Sequence, residues 1–80
     1  MSLSLVTQTV QIQQVDNAAT GAEARAIRLK HNLTLEDVSR EMGVSFPYLA
    51  TLEYGKRSWR EDLVDGFNEA IDALTSKEKR

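Results

Sequence analysis

The chain has 80 residues, twelve acids against ten bases for a net charge of −2, and no cysteine. Eighty residues make one domain, and a domain this small buries only about 60 to 65 percent of the surface its unfolded chain exposes, so it gains from self-association. Without cysteine there is no disulfide framework and no thiolate metal site; the single histidine, His31, cannot assemble a metal cluster and reads instead as a helix-end residue near exposed carbonyls. No apolar run is long enough for a bilayer, and the first residues lack the basic start and continuous apolar core of a secretion signal. The expectation is a cytoplasmic protein with no cofactor, no metal and no membrane partner.

Residues 1–20 read as an extended arm. Val6, Val10 and Ile12 alternate with Thr7, Thr9, Gln11 and Gln13, a period of two rich in β-branched residues. A lone strand cannot satisfy its own backbone. It therefore pairs with a second copy or folds over its own domain. The first is the expectation: an antiparallel strand pair through Val6, Val10 and Ile12 that holds a homodimer. Asp16 to Gly21, with Asn17 and Thr20, supply the connection and the first helix cap. Residues 21–76 then form the helical domain.

Two short helices with a tight turn occupy Asn32 to Trp59. Thr34 caps the first, with Asp37 three residues on in the place that completes a capping box, and Leu35, Val38 and Met42 follow at helical spacing. Gly43 ends it, because a sharp reversal needs a residue that enters left-handed backbone without strain. Val44 packs at the corner, Ser45 caps again, and Pro47 falls in the first turn, where its missing N–H is harmless. Leu49 and Leu52 make the buried stripe of the second helix. Phe46, Tyr48, Ala50, Thr51 and Glu53 are left on its flanks or outside, until Tyr54 and Gly55 stop it.

A last helix is predicted over 60–76, with Leu63, Val64, Phe67, Ala70, Ile71 and Leu74 on one face and Glu61, Asp62, Asp65, Glu69 and Asp72 on the other. The early acids suit the positive end of the helix dipole. Trp59 reads as a ring packed over the helix junction, and residues 77–80 as a polar end that frays. The fold class is mainly α, a bundle of four or five helices with an N-terminal extended or β arm.

From Gly21 to about Leu74 the sequence resembles the Cro and phage-repressor, or lambda-repressor-like, helix-turn-helix family. Ile27-Arg28, Leu33-Thr34, Gly43-Val44-Ser45, Leu49, Leu52-Glu53 and Gly55-Lys56-Arg57 carry the resemblance in order. It implies a dimeric regulator of transcription, a repressor, binding an inverted repeat in double-stranded DNA. It also implies an ion pair between Arg28 and Glu53 that ties the first helix to the end of the recognition helix. DNA-binding positions carry over as Thr34, Ser45, Lys56 and Arg57 at phosphates and Phe46, Pro47, Tyr48 and Thr51 at base edges, with Arg40 and Arg60 near the groove edge.

Three positions, Leu35, Phe46 and Pro47, depart from relatives, which commonly hold glutamine, arginine, serine or asparagine at base-reading sites and glutamine where Leu35 stands. Phe46 and Pro47 donate no side-chain hydrogen bond, so readout leans on thymine methyls, on single hydroxyls and on DNA shape. Charge is distributed in favour of binding: residues 21–60 carry seven bases against five acids, while residues 61–80 carry three against six. Exposed aromatics and the acidic total support a rival, a protein-interaction module or antitoxin-like partner on the same fold. No nucleophile sits with a histidine and no Gly-rich phosphate loop occurs, so the chain is not read as an enzyme.

Overall fold

The computed structural model describes residues 2–8 and 14–78. It is mainly α. Four helices, α1 (Asn17–Lys30), α2 (Leu35–Met42), α3 (Phe46–Glu53) and α4 (Glu61–Glu78), follow two very short strands, β1 (Thr7–Gln8) and β2 (Gln14–Val15).

The helix starts follow from side chains that accept N–H groups. Asp16 caps α1 by accepting from Ala19 N–H at 3.0 Å, so that helix begins inside the stretch expected as arm, and a boundary at residue 21 falls within it. Thr34 and Asp37 complete a capping box on α2: Thr34 Oγ1 accepts from Asp37 N–H at 3.0 Å and Asp37 Oδ2 from Thr34 N–H at 3.2 Å. Ser45 caps α3 and Pro47 lies in its first turn. The last helix runs from Glu61 to Glu78, two residues past its predicted end, and residues 79–80 of the expected polar end lie outside the described residues.

The core gathers one face of each helix: Ala24 and Ile27 from α1, Val38 from α2, Leu49 and Leu52 from α3, and Val64, Phe67, Ala70 and Ile71 from α4. Leu35 is half-buried and packs against this cluster. Trp59 is 2% exposed. Its ring meets Phe67 edge-on at 6.3 Å, and its Nε1–H donates to the Leu52 carbonyl at 2.9 Å.

Where the arm is described, it folds onto its own chain. β1 pairs antiparallel with β2, Thr7 opposite Val15 and Gln8 opposite Gln14. This corrects the part given to Val6: its N–H donates to Thr20 Oγ1 at 2.9 Å and its carbonyl accepts from Asp16 N–H, so both backbone groups are satisfied inside the monomer. Val10 and Ile12 lie outside the described residues. Leu3 goes further and enters the core at 2% exposed. Asn68 on α4 holds it there with two bonds, accepting from Leu3 N–H at 2.7 Å and donating to the Leu3 carbonyl at 3.0 Å.

Candidate nucleic-acid interface

The turn between α2 and α3 sets their angle with three backbone devices. Gly43 stands at φ +79°, its N–H donates to the Arg40 carbonyl at 3.2 Å, and Val44 N–H donates to the Ser39 carbonyl at 3.0 Å. A Cβ on Gly43 would touch nothing, so glycine is required there by backbone conformation and not by space. Ser45 Oγ then accepts from Tyr48 N–H at 3.3 Å to start α3.

With Leu49 and Leu52 fully buried, α3 presents its other side outward. Phe46 is 52% exposed, Pro47 is exposed, Tyr48, Ala50 and Thr51 are half-buried, and Tyr54 beyond the helix is 70% exposed. Glu53 does not join them. It is buried against Arg28, whose Nε donates to Glu53 Oε2 at 2.8 Å and Nη2 to Oε1 at 3.1 Å, while Nη1 donates to the Leu33 carbonyl at 2.9 Å. This corrects the flank position that the leucine stripe assigns to Glu53. A bidentate guanidinium with a third bond to backbone is the geometry that keeps a charge tolerable away from water.

Behind α3, the loop 55–60 is held on both sides. Gly55 turns at φ +77°, and a Cβ there would run into the backbone of Ala18 in the first turn of α1. Trp59 N–H donates to Asn17 Oδ1 at 2.8 Å. Pinned at these two points, the loop carries Lys56, Arg57 and Ser58 into solvent. Together with Tyr48 and Arg60 they line a shallow cleft of about 380 Å³. Arg57 Cζ lies 5.3 Å from the centroid of the Tyr48 ring, a cation–π contact that joins the loop to α3.

The other expected anion contacts are differently placed. Thr34 is exposed at the start of α2, but Asp37 already occupies its N–H, and that bond, then the Thr34 hydroxyl and the charge of Arg40, hold the Asp37 carboxyl below the usual carboxylate range. An anion arriving at Thr34 meets this carboxylate. Arg40 is exposed in the last turn of α2. Thr51 donates its hydroxyl proton to the Tyr48 carbonyl at 2.6 Å, so toward a ligand it offers oxygen lone pairs. Tyr48, expected among the base-reading residues, stands in the cationic cleft instead of apart from it.

Sequence reasoning missed the residues that carry this surface from beneath. Gly21 sits inside α1 where a Cβ would press on the carbonyl oxygens of Leu52 and Glu53, so its absent side chain sets how closely α1 approaches the end of α3. A glycine in an otherwise helix-favouring run was the available signal. Asn17, Thr20 and Asn68 bond backbone far away in sequence, and no periodicity announces such partners.

Among the described residues no helix is long and apolar enough to cross a membrane. A family model for helix-turn-helix domains matches residues 25–64, half of the chain, from the middle of α1 to the first turn of α4. No curated protein and no solved structure gave a match.

Proposed function

This chain belongs to the Cro and phage-repressor helix-turn-helix family of DNA-binding regulators, and on that premise we propose that it represses transcription as a homodimer on an inverted repeat in double-stranded DNA. The supporting observation is the continuity of one surface: the outward edge of α3 and the cationic loop behind it meet where Arg57 lies over Tyr48. The start of α3 enters the major groove with Phe46, Pro47 and Thr51 toward base edges and Tyr48 on the flank that adjoins the cationic cleft. Lys56 and Arg57, with Ser45 at the start of α3, meet phosphates, while Thr34, whose N–H Asp37 already holds, stands aside. Half-sites are then centred about one helical turn, roughly 34 to 36 Å, apart, and repression in the cytoplasm follows from occupancy.

Selection of bound fragments from random duplex DNA at two salt concentrations tests this. A symmetric sequence should be enriched, and the double variant Lys56→Ala, Arg57→Ala should weaken every target about equally while reducing the log–log salt slope by about 2. Unchanged binding by that variant would remove the phosphate assignment. The exposed rings of Phe46 and Tyr54 favour a second reading, a protein partner on the same face. Retention of such a partner at high salt, with no DNA shifted at low salt, would decide for it.

A further inference from the structure

A helix that reads bases by hydrogen bonds needs donors with room to turn toward the groove, and arginine or glutamine at its first turn supplies two each. The first turn of α3 has neither. Phe46 and Pro47 have no polar side-chain atom, and both are exposed. Ser45 Oγ is turned back to the Tyr48 N–H. Thr51 has directed its proton to the Tyr48 carbonyl. Tyr48 is half-buried beneath the Arg57 guanidinium and belongs to the cleft behind the helix. What α3 extends foremost is therefore a half-exposed phenyl ring beside a pyrrolidine ring.

In the major groove the apolar feature that distinguishes one base pair from another is the C5 methyl group of thymine. Resting on the DNA-binding reading above, we infer that Phe46, flanked by Pro47, is the specificity-determining residue and recognises a pyrimidine 5-methyl group rather than a hydrogen-bonding edge. The ring makes no bond that tells the O4 of thymine from the N4 of cytosine. A 5-methylcytosine·guanine pair presents its methyl at the same place in the groove, so the site accepts it in place of thymine·adenine and prefers it to unmethylated cytosine. Cytosine methylation then creates a binding position for this protein instead of destroying one.

The test uses the full chain and the duplex enriched from random DNA, remade with deoxyuridine for thymine and, separately, with 5-methylcytosine or cytosine at the same positions. Each lost methyl should weaken binding about fourfold, the transfer free energy of one buried methyl group expressed as a ratio. Restoring it on cytosine should recover about the same factor. In Phe46→Ala both differences should vanish, with the salt dependence from Lys56 and Arg57 intact; thermal melting of this exposed-site variant checks its fold. Phe46→Gln, which carries donors, should likewise bind the thymine and deoxyuridine duplexes equally. Equal binding of those two duplexes by the native protein overturns the inference, as does a methyl effect that survives Phe46→Ala, because that effect would belong to the DNA. Failure to enrich any duplex would instead remove the DNA-binding reading, and this inference with it.

Discussion

Two ion pairs in this molecule have the same chemistry and opposite surroundings. Arg28 and Glu53 meet at 2.8 Å with side chains 8% and 3% exposed, and Arg60 and Asp62 meet at 3.3 Å with side chains 67% and 70% exposed. Within the seam, the guanidinium has three directed bonds and none of the buried side-chain polar atoms among the described residues lacks a partner. On the outer face, water competes for both partners and the attraction is nearly cancelled by hydration and side-chain entropy. The first pair fixes where α3 stands against α1. The second leaves a cation at the edge of the cleft whose partner is easily exchanged.

The largest effect should come from breaking the inner pair. Glu53→Ala leaves the Arg28 charge buried with one backbone acceptor, and the expected loss is about 3 to 5 kcal/mol, against less than about 0.5 kcal/mol for Glu69→Ala on the exposed side of α4. Thermal or urea unfolding of the two variants measures the contrast. Equal shifts would mean that the seam is as wet as the surface.

The seam also depends on a missing side chain. Gly21→Ala places a methyl against the Leu52 and Glu53 carbonyls, which cannot move without displacing the end of α3, and should destabilise by about 1 to 3 kcal/mol. Gly66→Ala is its counterpart on α4: the added Cβ meets Met42 Cε at 3.9 Å, an ordinary contact, and should stabilise by about 0.5 to 1 kcal/mol through helix propensity alone. Opposite signs for one chemical change in two helices would locate the close approach in α1. A gain in both would refute it.

Legibility in the sequence follows this same division. The caps at Thr34 and Ser45, the left-handed turn at Gly43 and the apolar stripe of α4 are local, each fixed by residues within four positions, and the sequence reading placed them within one or two residues. The Arg28–Glu53 pair spans 25 positions and was available through family resemblance, since spacing along α3 puts Glu53 on a flank. In the arm, alternation announces a strand without naming its partner; Thr20 and Asp16 settle the backbone of Val6 within the chain. Leu3 gave no pattern at all. Its place in the core is fixed by Asn68, 65 positions away. At the candidate interface, residue types were legible but their commitments were not: Tyr48 under Arg57 and Thr51 bonded into its own helix are contacts that only the folded backbone brings about.

The smallest effect on stability should come from the outer pair, and there the interest lies in binding. Asp62→Asn removes a carboxylate in the first turn of α4, where the helix dipole favours it modestly, and should change stability by less than about 1 kcal/mol. For a phosphate approaching the cleft, however, Asp62 is a competitor for Arg60. Its neutralisation should tighten DNA binding at low ionic strength, and the gain should fade as salt rises and the Debye length falls to about 8 Å near 0.15 M. Titration of one duplex with both proteins over a salt series separates the possibilities. If Asp62→Asn binds more weakly at every salt concentration, the carboxylate holds Arg60 in place for the phosphate, and the exposed pair has a positioning role that its solvation conceals.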